Sequence, residues 1–323
     1  MWRRAFFGAI GCAAAFPAAR AQQALPVVGF LTISVDDGVM AAMRRGLERG
    51  GFVEGRNVAI VVRSADGQFD RVAQLAAELV ERQVSVILAW GSSVPARAAK
   101  AATNKIPIVF LYGGDPVADG LVPNFNRPGG NITGVTLSNS ALLAKRLELA
   151  RSIVPGLTDV AVLVNPKAGS LAQGQIADAQ AAAPQLGLGV HIVDGGSQAE
   201  IDRVFATLER PKIGALVMST DPLFSFTHRH QIVALAARHR LPTIFGLRTG
   251  PDAGGLISYG TNADDANEQA GAYVARILKG EKAADLPIIQ GTRFETVVNL
   301  KTAKALGLEI PPSVLAAANE VIE

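Results

Sequence analysis

Cysteine is nearly missing from this sequence of 323 residues, which contains one, Cys12. A chain with a single cysteine forms no internal disulfide, and it holds no metal site built from several thiolates. Cys12 also lies in residues 1–21, which we interpret below as a segment removed on export. The mature protein then has no cysteine, which excludes thiolate catalysis as well.

An excess of basic residues is lacking too, once the N-terminus is set aside. The sequence has 31 Lys and Arg residues against 28 Asp and Glu. Three of the basic residues, Arg3, Arg4 and Arg20, lie in residues 1–21, which contain no acid. Their removal leaves 28 basic residues against 28 acidic ones, so the mature chain is formally neutral. We therefore expect no nucleic-acid partner.

Hydrophobic runs long enough to cross a membrane are also missing. The N-terminal apolar stretch, from Ala5 to Phe16, is shorter than the roughly 20 residues that a spanning helix needs. It follows a basic start and precedes Ala19-Arg20-Ala21, a small-x-small cleavage site. This order predicts a signal peptide over residues 1–21 and a periplasmic protein. Arg3-Arg4 also fits a twin-arginine signal and Gly11-Cys12 a lipoprotein site, and the sequence leaves these routes open.

Enzyme signatures are absent. No Gly-x-Gly-x-x-Gly follows the first predicted strand, and neither a phosphate-binding Gly-x-x-x-x-Gly-Lys-Ser/Thr nor a Gly-x-Ser-x-Gly elbow occurs. His228 and His230 would point about 200° apart on a helix, so they do not face one ion together. We expect no catalytic residue, no cofactor and no metal.

Short apolar runs that alternate with longer amphipathic stretches are what the sequence does contain. Near-continuous apolar strands between helices indicate parallel sheets covered on both faces. The predicted strands are 27–31, 58–62, 84–89, 106–111, 160–164, 190–193, 215–218, 243–245, 256–259 and 296–298. The predicted helices are 39–49, 69–82, 94–102, 142–154, 176–186, 201–208, 231–240, 266–279 and 300–306. The pattern begins again after residue 135, which predicts an α/β fold of two doubly wound, Rossmann-like lobes.

A glycine- and proline-rich stretch, residues 112–135, separates the two series of elements. Loops of this length inside a compact chain are uncommon and need a reason. We predict that Gly113 to Asp115 line a cleft and that Arg127 to Gly134 lead into a hinge, with Gly129-Gly130 at the first crossing between lobes. Glycine permits the backbone angles that such a hinge requires.

Candidate ligand-binding residues follow from the rule that ligands of open α/β sheets bind outside the carboxyl ends of the strands. The residues at or beside those ends are mostly hydroxyl, amide, glycine and aromatic groups. They are Ser34, Trp90, Gly91, Ser92, Ser93, Tyr112, Gly113, Asp115, Asn165, Ser170, Asp221, Arg248 and Tyr259.

Three roles are assigned among these candidates, and each has an open alternative. Ser92, Ser93 and Ser170, with Arg248, would hold a carboxylate; Arg248 would otherwise pair with an acid such as Asp252. One of the two Asp-Pro aspartates, Asp115 or Asp221, would accept an amine, or both would only cap turns. Trp90, Tyr112 or Tyr259 would contact the ligand's side chain; Trp90 would otherwise be core.

Four segments carry a resemblance to a known family. They are Gly51-Phe-Val-Glu-Gly-Arg-Asn-Val58, Asp115-Pro-Val117 with Gly120-Leu-Val122, Arg127-Pro-Gly-Gly-Asn-Ile-Thr-Gly-Val135, and Asn299-Leu-Lys-Thr-Ala-Lys-Ala-Leu-Gly-Leu308 with Pro311-Pro312. The chain resembles the periplasmic substrate-binding proteins of ABC transporters, in the tryptophan/tyrosine-binding-protein-like group, over essentially the whole mature length. Where we expect glycine or alanine after the third strand, this sequence has Trp90, which would reshape the pocket.

The resemblance implies a type I periplasmic binding protein fold with a three-segment hinge near 136–141, 258–263 and 288–293. Lobe 1 would comprise 26–137 and about 262–288, and lobe 2 would comprise 140–258 and about 292–323. It also implies a monomer that closes on an amino-acid-like ligand and docks on an ABC permease. An exported hydrolase-like enzyme, or a receptor for a sensor kinase, stays open as an alternative.

Overall fold

The structure is a computed structural model and describes residues 25–137, 142–208 and 212–323. The predicted signal peptide, including Cys12, lies outside the described residues. Thirteen strands are described, and their bounds are β1 Val27–Thr32, β2 Ala59–Ser64, β3 Val86–Gly91, β4 Ile108–Tyr112, β5 Ile132–Thr136, β6 Asp159–Val164, β7 Gly189–Asp194, β8 Ile213–Met218, β9 Thr243–Phe245, β10 Ile257–Thr261, β11 Ile289–Gln290, β12 Phe294–Asn299 and β13 Glu320–Ile322.

Eleven α-helices are described in the same residues. Their bounds are α1 Asp37–Arg49, α2 Val72–Glu81, α3 Ser93–Ala102, α4 Leu143–Ile153, α5 Ser170–Leu186, α6 Gln198–Thr207, α7 Arg229–Arg238, α8 Thr249–Asp252, α9 Ala263–Leu278, α10 Leu300–Leu306 and α11 Pro312–Ala317. A π-helical turn, Leu223–Thr227, precedes α7.

The strands form two sheets. The first has the order β11-β5-β4-β3-β1-β2 with every pair parallel, and the second has the order β13-β12-β10-β9-β8-β6-β7 with one antiparallel pair, β10 with β12. This confirms the predicted α/β fold of two doubly wound sheets. The chain changes sheet between β5 and β6, between β10 and β11, and between β11 and β12.

Both faces of each sheet are covered, which explains why the central strands are apolar throughout. Every residue of β3 and β4 is buried. Helices α1 and α9 pack on one face of the first sheet, and α2 and α3 pack on the other. Helix α9 is contributed by a later part of the chain, and its backbone fits closely against α1. A Cβ on Gly46 would lie 2.0 Å from the backbone oxygen of Glu268, so only glycine fits there.

The interpretation of residues 112–135 as a single loop into a hinge is wrong in one respect. Strand β5 follows Gly129 and Gly130 and pairs with β4, so these glycines precede β5 at its N-terminal end. They have the positive φ angles of 67° and 59° that glycine permits. Crossing to the second sheet begins only after Thr136. The sequence analysis did not predict β5, because Gly134 is typical of a loop. Glycine is required at this position in the strand, since a Cβ there would lie 2.2 Å from the backbone oxygen of Phe110.

Candidate ligand-binding cleft

The carboxyl ends of β3 and β4 in the first sheet face residues that follow β8 and β9 in the second. Between them is a cavity of about 20 Å³. Its walls from the first sheet's side include Trp90, Gly91, Tyr112, Gly113 and Asn267, and its walls from the second sheet's side include Thr220, Asp221, Pro222, Phe226 and Leu247. Five predicted site residues therefore come together: Trp90, Gly91, Tyr112, Gly113 and Asp221.

Trp90 is both a core residue and a wall of this cavity. Its side chain is buried and stacks on Phe30 with ring centroids 6.4 Å apart. The ring also meets Phe226 edge-on, at 5.2 Å between centroids. Trp90 Nε1 donates a hydrogen bond to Oδ1 of Asn267, on α9, at 2.8 Å. The two interpretations of Trp90 are thus not exclusive.

Asp221 is a buried carboxylate that pairs with no basic side chain among the residues described. Asn165 Nδ2 donates to its Oδ2 at 3.1 Å, and the Leu223 backbone N–H donates to its Oδ1 at 2.8 Å. Asn165 is itself fixed, because its Oδ1 accepts a hydrogen bond from the Lys167 N–H at 3.1 Å. Burial raises the pKa of Asp221 to about 6. Asn165 therefore orients the carboxylate of Asp221.

Asp115 differs from Asp221 although both precede proline. Asp115 is exposed, and its Oδ1 accepts hydrogen bonds from the backbone N–H groups of Val117 at 2.8 Å and Ala118 at 3.2 Å. The carboxylate thus caps a turn, as the alternative interpretation proposed, and it does not line the cavity. The Asp115 backbone N–H donates to Ser170 Oγ at 3.3 Å, which joins the two halves of the cleft.

Asp119 is a cleft residue that the sequence reasoning missed. Its Oδ2 accepts hydrogen bonds from Tyr112 Oη at 3.0 Å and from Ser170 Oγ at 2.8 Å, and its Oδ1 accepts one from the Ser170 N–H at 3.3 Å. Burial and the charge of Asp119 raise the pKa of the Tyr112 hydroxyl. The donors of Ser170 that we assigned to a ligand carboxylate are therefore used on Asp119.

The other predicted serines have separate roles. Ser92 Oγ accepts a hydrogen bond from the Val94 N–H at 3.3 Å and so caps α3. Ser34 Oγ and Ser93 Oγ are buried and have no hydrogen-bond partner within the described residues. Ser93 lies close to the second sheet's side of the cleft, since a Cβ on Gly169 would lie 3.2 Å from Ser93 Oγ.

Arg248 and Tyr259 do not line this cavity, but Arg248 borders the wider pocket beside it, together with Phe226, Leu247 and Asn267. Arg248 pairs with Asp252 at 3.1 Å and with Glu320 at 3.0 Å, and the hydrogen bond that it donates to Asp252 helps raise the pKa of Arg248. Tyr259 stacks on Phe294, with centroids 6.2 Å apart, in a separate surface groove. Strand β10 pairs with β12, and their register places Tyr259 opposite Thr296, which lines the same groove.

Two further features bear on function. Among the residues described, no three His, Cys, Asp or Glu side chains are grouped as metal ligands would be. In the same residues, no helix is both long and apolar enough to cross a membrane.

Comparison with known proteins gives a consistent set of relatives. Residues 26–322 match the model of the family described as ABC transporter substrate binding protein. The chain is 26% identical over 265 residues to a tyrosine-binding protein of Clostridioides difficile (strain R20291), a match that covers 82% of this chain and 75% of the relative.

Solved structures match over the same length. An ABC domain in complex with L-Trp from Streptococcus pneumonia superposes with a TM-score of 0.81 at 22% identity, covering 93% of this chain and 100% of that one. The ligand-free, open structure of a substrate binding protein with adhesive properties from Clostridium difficile gives a TM-score of 0.65 at 25% identity, covering 92% of this chain and 99% of that one.

Proposed function

This chain belongs to the ABC transporter substrate-binding protein family, and we propose that it is the periplasmic receptor of an importer. In this proposal a small amino-acid-like ligand binds in the cleft and the two lobes close on it. Lobe 1 comprises 26–137 and about 262–288, and lobe 2 comprises 140–258 and about 292–323. The receptor is a monomer that delivers its ligand to an ABC permease after residues 1–21 are removed. Its fold is that of the two-lobed periplasmic binding proteins.

The observation that carries the proposal is the unpaired Asp221 carboxylate between aromatic walls. A buried carboxylate without a cation is costly, and a ligand ammonium would neutralise it. The rings of Trp90, Tyr112 and Phe226 supply the apolar surface that an amino-acid side chain needs. The tyrosine-binding relative and the L-Trp complex support the same class of ligand.

The arrangement of the lobes supports a closed state. The match to the L-Trp complex scores 0.81 and the match to the open, ligand-free structure 0.65, although the sequence identities are similar. The cavity of about 20 Å³ holds roughly one water molecule. Because this cavity is too small for an amino acid, we propose that the lobes separate to admit one, and that closure on it is the signal that a permease would recognise.

A binding screen with a matched pair of variants tests the proposal. Purified protein is screened by thermal shift against the amino acids, and hits are measured by calorimetry. Ligand at 100 times its Kd should stabilise the protein by about 2.7 kcal/mol. Asp221→Asn should abolish binding because it removes the charge. Asp115→Asn, the control in the exposed Asp-Pro motif, should bind like the wild type.

Two outcomes would redirect the proposal. Conversion of the hit above background by purified protein would favour the exported enzyme. Unimpaired uptake of the hit in cells that lack this protein would favour a receptor that signals to a sensor kinase.

A further inference from the structure

Arg146, on α4, is a fully buried arginine that forms no ion pair within the described residues. Its Nε donates a hydrogen bond to the backbone oxygen of Tyr259 at 2.8 Å. Its Nη1 and Nη2 have no hydrogen-bond partner in the part of the chain that the structure describes. Asp178, on α5, acts on it electrostatically, but no ion pair forms between the two within the described residues. Burial lowers the pKa of Arg146 to about 10, so the guanidinium stays charged at neutral pH.

Two glycines at the cleft end of the second sheet pack against the buried guanidinium. A Cβ on Gly246 would lie 3.0 Å from Arg146 Nη2, and a Cβ on Gly260 would lie 3.5 Å from it. The same Cβ on Gly246 would lie 2.3 Å from Thr220 Oγ1, so the guanidinium and this hydroxyl face one spot over Gly246. Thr220 Oγ1 is itself buried without a partner in this described region, and Thr220 lines the cavity beside Asp221.

Several of the groups predicted to hold a carboxylate are already used, although Ser93 Oγ has no partner within the described residues. Ser170 donates to Asp119, Arg248 pairs with Asp252 and Glu320, and Ser92 caps α3. The buried guanidinium of Arg146, close to the unpartnered hydroxyl of Thr220, is therefore a candidate to offset the charge of a ligand carboxylate.

From this arrangement we infer that Arg146, acting through Thr220, makes the cleft selective for ligands that carry a carboxylate. The inference rests on the proposed function and deepens it. A zwitterionic amino acid would place its carboxylate at Thr220, over Arg146, and its ammonium at Asp221. Arg146 is a positioning residue here, because Thr220 lines the cavity and Arg146 does not.

A set of related ligands separates selectivity from folding. The probes are L-tryptophan, tryptamine, which lacks the carboxylate, and indole-3-propionate, which lacks the ammonium. The wild type should bind L-tryptophan best. Arg146→Met should weaken binding of both carboxylates by about 10- to 100-fold and leave tryptamine unchanged. Arg146→Lys should restore part of the loss, and Lys145→Met, an equal loss of charge on the exposed face of α4, should have no effect.

The remaining outcomes decide the inference as well. Equal weakening of all three probes by Arg146→Met, or no weakening of any, would overturn it. If Arg146→Met does not fold, Thr220→Val replaces it, and the same loss confined to the carboxylates is expected. If the wild type binds no amino acid, the proposed function fails, and a set of small carboxylates decides the inference. If the wild type binds a small carboxylate and Arg146→Met does not, the inference is supported. If the wild type binds none of the carboxylates, the inference is refuted.

Discussion

Asp119 reaches across the cleft to Ser170 and accepts hydrogen bonds from both its hydroxyl, at 2.8 Å, and its backbone N–H, at 3.3 Å. Ser170 is the first residue of α5, so the carboxylate also meets the positive end of a helix of 17 residues. One acid on the first sheet's side therefore joins the two sides of the cleft without a ligand.

Removing this contact should favour the open state. Asp119→Ala removes charge-assisted hydrogen bonds worth about 1–3 kcal/mol, so the closed state becomes less populated. Small-angle scattering should show a larger radius of gyration, and ligand affinity should fall. Asp70→Ala, which removes an exposed acid beside α2, is the control. An unchanged radius and affinity for Asp119→Ala would show that the contact does not hold the lobes together.

A second contact across the cleft is the ion pair of Arg229 Nη1 with Asp36 Oδ2, at 3.1 Å. Both side chains are about three-quarters buried, so we expect a coupling energy near 1 kcal/mol that falls in high salt. A double-mutant cycle of Arg229→Gln with Asp36→Asn measures it, with ligand affinity as the readout. Asparagine at 36 keeps the cap on α1, because Asp36 Oδ1 accepts the hydrogen bonds from Gly38 and Val39 and asparagine supplies the same oxygen. Additive effects at low salt would mean that the pair contributes nothing to closure.

The pKa of Asp221, raised to about 6 by burial, gives a pH dependence with opposite signs for stability and binding. Because the folded-state pKa lies above the value near 3.9 of an unfolded chain, Asp221 contributes stability that is complete below that value and is lost as pH rises through about 6. The same rise in pH charges Asp221 and should strengthen binding of an ammonium.

Calorimetry and thermal unfolding from pH 5 to 8 check both signs. Asp221→Asn serves as the reference, because subtracting its stability profile removes the other titrating groups, including Glu295, whose pKa burial also raises. Wild-type affinity that falls as pH rises would contradict the assignment of the ammonium to Asp221.

The backbone architecture was largely predictable because local signals and topology agree. A proline precedes β9 and a glycine follows α10, and each marks one end of a predicted element. The structure has these elements at the predicted residues, 243–245 for β9 and 300–306 for α10. The rule for parallel strands placed Trp90, Tyr112 and Asp221 in one cleft. Strand β5 was missed because Gly134 serves a contact with Phe110 that no local pattern shows.

Side-chain partners were less predictable, because they depend on residues distant in sequence. Arg248 is held partly by Glu320, from the last strand of the second sheet, and Asp119 was passed over because its partner, Ser170, belongs to the other half of the molecule. Arg146 did leave a signal. It occupies a position on the apolar stripe of α4 that also includes Leu143, Leu147 and Ala150, where an arginine is out of place.

Because Trp90 is both a core residue and a wall of the cavity, its role in binding is better tested by a substitution milder than alanine. Trp90→Ala should lower the free energy of unfolding by about 3–5 kcal/mol, because it empties a buried site in the core, so any loss of binding would reflect damage to the fold. Trp90→Phe keeps an aromatic ring between Phe30 and Phe226. It leaves Asn267 Oδ1 buried without the Nε1 donor, which should cost about 1–3 kcal/mol.

The smaller ring of Trp90→Phe also widens the cavity, so the ligand preference should shift towards larger side chains. Urea unfolding measures the stability, and calorimetry with L-tryptophan, L-tyrosine and L-phenylalanine measures the preference. Phe30→Leu is the matched control, since Phe30 packs on Trp90 but does not line the cavity; it should lower stability with the preference unchanged. A shift in preference for Phe30→Leu equal to that for Trp90→Phe would show that Trp90 acts only through the core.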